Sequence, residues 1–198
     1  MNIYTYYDEV LDNQIEIIEV WKKSWENNGW NPIVLDRKFI KCTNLEIEYL
    51  ENLPSVNPKK YEMACFLRWN AMSNIGGGWM CDYDVINIGF SPEDSKKYES
   101  MSILQGHVPC LVYGTSEDYK HIFNIFTTES SNFITKIDEK SHTSDMIIIS
   151  NIKNRDFIKC LNIVDDYPKK EKSILIHCSE YCCRSVSITK KEAMISIL

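Results

Sequence analysis

Hydrophobic positions along this chain recur with two periods that alternate from the first residue onward. Ile3 to Tyr7 is a β-rich run, and from Asp12 to Asn28 the period lengthens. There Ile15, Ile18, Trp21 and Trp25 fall on one face, which predicts an amphipathic helix. Gly29 ends it, and Pro32-Ile33-Val34-Leu35-Asp36 predicts a second strand that finishes on a carboxylate. Strand, helix and strand in that order imply a parallel pair joined by a crossover helix. A short helix is expected from about Asn44 to Asn52.

The next helix is strongly punctuated. Asn57 suits an N-cap, Pro58 the first helical position and Gly76 the C′ position. Tyr61, Ala64, Cys65, Arg68, Met72 and Ile75 share one stripe, and Met63, Phe66 and Leu67 cover much of the rest, so the helix is expected to be largely buried. Arg68 lies within that stripe. A buried charge there needs a partner, unless its stem lets the guanidinium reach solvent.

After Gly76, a short apolar strand leads to Asp82-Tyr83-Asp84, then Val85 to Ile88 and a polar loop from Ser91 to Ser100. Ile103 to Tyr113 holds strand-like material, and Ser116 to Thr127 is expected to be helical. Asp145 precedes an apolar run, Met146 to Ile149, and Ser173 to Ile176 predicts a last strong strand. Strands alternate with helices throughout, with no repeat or linker. The expectation is an α/β domain with a mainly parallel central sheet flanked by helices, occupying residues 1–198 as a single domain.

The 198 residues suffice for a sizeable core. A formal net charge of −6 argues against a general nucleic-acid binder. An anionic ligand would need a metal or a placed arginine beside it. No apolar run approaches the length of a membrane span, and the N-terminus lacks the basic and apolar regions of a signal peptide. The 8 cysteines are scattered among apolar neighbours, which reads as reduced thiols in a cytoplasmic protein. His177, Cys178, Cys182 and Cys183 are crowded too closely for the separated ligand pairs of a zinc module. The ending at Leu198 is compatible with the N-terminal part of a longer chain.

Asp82 and Asp84 carry the most specific chemistry. Two carboxylates one residue apart at a strand end can share a hard divalent cation, and a metal-bound diphosphate is the natural ligand. Taken alone, such aspartates also cap turns. Arg68, a helix end, Gly76-Gly77-Gly78, an apolar strand and Asp-x-Asp form a composite pattern over about Tyr61 to Ile88. It resembles the sugar-binding region of DXD-containing glycosyltransferases with the GT-A fold, the family of the clostridial glucosylating toxins and yeast mannosyltransferases. A virally encoded enzyme that decorates an algal-virus capsid is similar in size and composition, which implies action in a host cytoplasm.

The resemblance implies a GT-A, Rossmann-like fold and transfer of a sugar from a nucleotide-sugar, UDP-linked, to an acceptor hydroxyl on a glycan or glycoprotein. It implies Mn²⁺ or Mg²⁺ held by Asp82, Asp84 and His177, with Arg68, Asp82 and Tyr83 at the donor and Thr5, Tyr6, Tyr7 and Asp36 at the nucleotide. Tyr6 and Tyr7 also suit a core or edge strand, and His177 also suits a hydrogen-bonded core position. An inverting reaction needs a base, for which Asp145 is the first candidate and Asp165 or Asp166 the second. Asp145 equally suits a helix N-cap. Cys65 stands where many relatives carry an aspartate, so a deoxy sugar is conceivable, and the longer glycine run offers Trp79 or Met80 as the aromatic-position residue.

Two alternatives remain open at this point. His177-Cys178-x5-Arg184-Ser185 matches the signature of cysteine phosphatases, in which a thiolate attacks phosphorus inside a cradle of backbone amides. Its interior has no glycine, however, and Glu180 would oppose a bound dianion. The other alternative is a non-catalytic nucleotide- or glycan-binding module.

Overall fold

The computed structural model describes residues 1–8, 15–152, 156–168 and 170–198. The chain starts with β1 (Asn2–Tyr6), α1 (Ile15–Glu26), β2 (Asn31–Leu35), α2 (Asn44–Glu51), α3 (Lys59–Asn74), β3 (Gly77–Cys81) and β4 (Val85–Asn87). It continues through α4 (Pro92–Ser95), β5 (Ser102–Gln105), β6 (Val108–Thr115), α5 (Ser116–Glu129), β7 (Thr135–Ile137), β8 (Lys140–His142) and α6 (Asp145–Asn151). It ends with β9 (Lys159–Cys160), β10 (Asp165–Asp166), β11 (Leu175–His177), α7 (Glu180–Ser185) and α8 (Lys190–Ile197). The expected start of the first helix, from Asp12 to Gln14, lies outside the described residues.

The central sheet has six strands in the order β2-β1-β3-β6-β5-β9. β1 runs parallel to both β2 and β3, β6 is antiparallel to β3 and β5, and β9 is parallel to β5. A smaller sheet, β10-β11-β4, and a β7-β8 ribbon complete it. The sheet is apolar on both faces, because successive strand residues point opposite ways. Met80, Ile103 and Val112 join Phe66, Trp69, Phe126 and Ile148 in one cluster beneath α3, α5 and α6. Their strand neighbours Trp79, Cys81, Leu104 and Leu111 join Trp21, Trp25, Phe90 and Met194 in the other, beneath α1 and α8. That two-sided burial explains the hydrophobic content of the strands.

Several expected boundaries shift for local reasons. The α3 cap is Pro58, in extended conformation, while Asn57 instead gives its side-chain amide to Glu62 at 2.6 Å. Gly76 takes the left-handed C′ position after Ile75, with φ +99. Ser91 builds a capping box with Asp94 and turns the start of the expected polar loop into α4. The apolar run after Asp145 is a helix whose N-cap is Ser144. Gly77 and Gly78, expected only to lead into the strand, form its first residues.

Topology places the site. From β1 the chain crosses α1 to β2 on one side, then returns through α3 to β3 on the other side of β1. A crevice opens outside the carboxyl ends of strands where their order reverses in this way. β1 and β3 end there.

Candidate functional site

The crevice between the ends of β1 and β3 and the flank of α3 forms a cleft. Tyr6 lines it from β1, Tyr7 and Asp8 from just after that strand, Tyr61, Ala64, Cys65 and Arg68 from α3, Asp82, Tyr83 and Asp84 from the turn after β3, and Lys190 from α8. The two aspartates converge because the turn is tight: the Val85 amide donates to the Asp82 carbonyl at 3.1 Å, and the Asp82 amide donates to Cys110 O at 2.7 Å. β4 then pairs antiparallel with β11, setting His177 opposite Val85. One donor atom from each of Asp82, Asp84 and His177 lies within 4.8 Å of the others.

Electrostatics differ sharply across this group. Burial works against ionising Asp84, but Lys190 Nζ at 2.6 Å from Oδ2 and His177 Nε2 at 3.5 Å from Oδ1 outweigh it and hold the carboxyl well below the usual range. Lys190 also lies 5.3 Å over the Tyr83 ring, which meets Tyr7 edge-on at 6.0 Å. Asp82 is pushed up to about 6 by burial and by Asp84, against the pull of Arg68. Oxygen and imidazole donors of this kind suit Mn²⁺ or Mg²⁺ better than a soft metal. One oxygen or nitrogen from each of the three lies close enough to the other two to share one ion, so the residues fit a divalent cation.

Arg68 is 8 % exposed and has the partner that its position demands. Nη1 pairs with Asp82, Nη2 donates to Asp145 Oδ2 at 2.6 Å, and Nε donates to the Cys65 carbonyl at 3.2 Å. Asp145 is 4 % exposed; Oδ2 also accepts from Trp69 Nε1 at 3.2 Å, and Oδ1 accepts from the Met146 amide at 2.7 Å. It sits behind Arg68 and does not line the cleft.

Of the remaining sequence candidates, Tyr6, Tyr7 and Tyr83 line the cleft, but Thr5 and Asp36 do not. Thr5 is 1 % exposed inside the sheet, and its hydroxyl has no hydrogen-bond partner among the described residues. Asp36 caps the short helical turn Arg37–Phe39 through the Lys38 amide and pairs with Lys38 Nζ at 3.2 Å. Asp165 is engaged by Lys170 at 2.6 Å and Ser173 at 2.7 Å, and Asp166 by Gln105 at 2.8 Å. Trp79 packs in an aromatic cluster with Trp30, Phe90, Tyr98 and Tyr113 on the α1 side, away from the cleft.

The phosphatase-like segment is built differently from a phosphate cradle. Ser179 caps α7, Cys178 is fully buried, and burial drives its thiol pKa far upward. Arg184 is turned to solvent, where Nε meets Glu180 at 2.9 Å. A nucleophilic thiolate needs the opposite environment.

Sequence reading missed Asp8, Tyr61, Ala64 and Lys190 as cleft residues. Tyr61 and Ala64 were visible as the stripe of Arg68, whereas Lys190 reaches Asp84 across 106 positions and leaves no local signal.

No protein-family model matches the sequence, and no curated protein matches it. Among solved structures, the crystal structure of an active-site mutant of LgtC is similar at a TM-score of 0.59 and 10 % identity, over 100 % of this chain and 95 % of that one. The likeness concerns the fold, which is of the GT-A type. No helix among the described residues is long and apolar enough to cross a membrane.

Proposed function

We propose that this protein is a metal-dependent glycosyltransferase that moves a sugar from a UDP-linked donor to a hydroxyl of a glycan or glycoprotein. The observation that carries the reading is the convergence of Asp82, Asp84 and His177, of which the two aspartates line a cleft formed where the strand order reverses and His177 stands beside them outside its lining. Its GT-A fold, shared with LgtC, adds the class of chemistry. When bound, Mn²⁺ or Mg²⁺ would neutralise the charge that develops on a departing diphosphate.

The chain's own residues take distinct parts. Asp84 and His177 hold the cation with Asp82, and Lys190 adds a positive charge at the same end of the cleft. Tyr6, Tyr7 and Tyr83 offer ring faces and hydroxyls to the nucleotide. Arg68 orients Asp82, and Asp145 fixes Arg68; with both oxygens engaged, Asp145 serves as a positioning group rather than as the base that deprotonates the acceptor.

Calorimetric titration with UDP, with and without Mn²⁺, followed by assay of UDP release from a panel of UDP-sugars, tests this. We expect binding that needs the metal, slow UDP release, and loss of both in Asp84→Ala, with binding weakened by at least about 10-fold. UDP binding without turnover of any sugar would favour a binding module instead. No UDP binding in either condition overturns the reading.

A further inference from the structure

Behind the metal-donor group, and outside the cleft lining, one polar side chain faces His177. Gln105 is the last residue of β5; its Oε1 lies 2.8 Å from His177 Nδ1, and its Nε2 donates to Asp166 Oδ1 at 2.8 Å. The Cys110 thiol donates to the same Oε1 at 3.0 Å. Asp166 is itself paired in register with His177 across β10 and β11. The three residues therefore close a small ring that ties the six-strand sheet to the three-strand sheet.

Donor and acceptor counting settles the orientation of every member. An ionised carboxylate only accepts, so the amide nitrogen of Gln105 must face Asp166 and its carbonyl oxygen must face His177. A carbonyl oxygen also only accepts, so Nδ1 carries a proton. In neutral imidazole this leaves the lone pair on Nε2, the nitrogen that looks toward Asp84.

We propose that Gln105, anchored by Asp166, is the positioning residue that locks His177 with Nε2 presented to the divalent cation. The proposal rests on the metal reading above and adds a partner that neither the Asp-x-Asp pattern nor the fold assigns. Fixing the ring removes rotational freedom and sets the nitrogen that binds. Removing such outer partners typically costs about 10–100-fold in metal affinity.

Mn²⁺ affinity, read from the free-ion paramagnetic resonance signal with and without UDP, is the measurement. Gln105→Met keeps the shape without either hydrogen bond, and is expected to weaken Mn²⁺ binding about 10–100-fold. Asp166→Ala, at an exposed position, is expected to weaken it roughly 3–10-fold. Gln105→Glu sets two carboxylates against each other. Combined with Asp166→Asn, the roles are exchanged: the new carboxylate accepts from Nδ1 and from the new amide. That double variant is expected to return within about 3-fold of the parent.

Thermal melts without metal check that each variant folds; if Gln105→Met does not, Asp166→Ala and the exchanged pair carry the test. Unchanged affinity in folded Gln105→Met, or in Asp166→Ala, overturns the proposal and leaves the metal reading intact. A loss that the exchanged pair does not restore also overturns it, since mere packing would behave that way. If the parent protein binds no Mn²⁺ with or without UDP, the metal reading falls and the proposal with it.

Discussion

Arg68 commits three of its nitrogens, to Asp82, Asp145 and the Cys65 carbonyl, while buried beside Trp69. Its removal strands the buried Asp145 carboxylate without a charge partner and leaves Asp82 uncompensated at the cleft, which costs more than the pair itself contributes. Arg68→Ala is expected to lower stability by about 3–5 kcal/mol in urea unfolding, and Arg68→Lys recovers only part, because an ammonium lacks the fork that spans both partners. Glu62, on the same helix, gives a test by pH. Burial pushes its carboxyl up to about 7 from 4.5, with Asp145 adding to the push and Asn57 opposing it. A carboxyl raised by folding stabilises the protein fully below about pH 4.5, and that contribution is lost as pH rises through 7. Glu62→Gln should therefore gain about 2–3 kcal/mol relative to the parent between pH 5 and pH 8. Parallel unfolding curves for the two proteins across that range would remove this account.

At the scale of elements, β3 is the strand on which the site depends. It carries Asp82 at its end, and it approaches β6 so closely that a Cβ on Gly77 would lie 2.6 Å from Gly114 O and Ser116 N. Gly77 also has φ +80, a region that other residues enter at a cost. Gly77→Ala is expected to cost about 3 kcal/mol or more, because backbone atoms cannot yield as a side chain would. Denaturant midpoints report the loss, and UDP affinity should fall with it, since the turn that pairs Asp82 with Asp84 hangs from this strand. α3 shows how far periodicity reads. Its buried stripe, its C′ glycine and the need of Arg68 for a partner were all legible in the residues. Asp145 as that partner was not, since it joins from 77 positions away.

For the whole molecule, the cleft is assembled from four separate regions, so a ligand that fills it should stabilise all of them together. On the proposed function, UDP with Mn²⁺ at about 100 times Kd is expected to add about 2.7 kcal/mol, or roughly 5–10 °C in Tm for a chain of this size. Chelation of the metal should return the midpoint to that of the free protein. A midpoint indifferent to both would mean that no ligand couples these regions.

Local order was written along the chain: two periods of hydrophobicity, capping residues and glycines sufficed to predict an α/β domain, and Asp82 and Asp84 announced themselves because both lie in one turn. His177 was suggested only by resemblance, while Lys190 and Gln105 gave no sign at all. Their contacts cross 106 and 72 positions, and no nearest-neighbour pattern encodes such distances. They exist because β4 pairs with β11 and because α8 packs back beneath the central sheet. Strand order and layer packing, which bury apolar surface from distant segments together, are what brought His177 and Lys190 to the two aspartates.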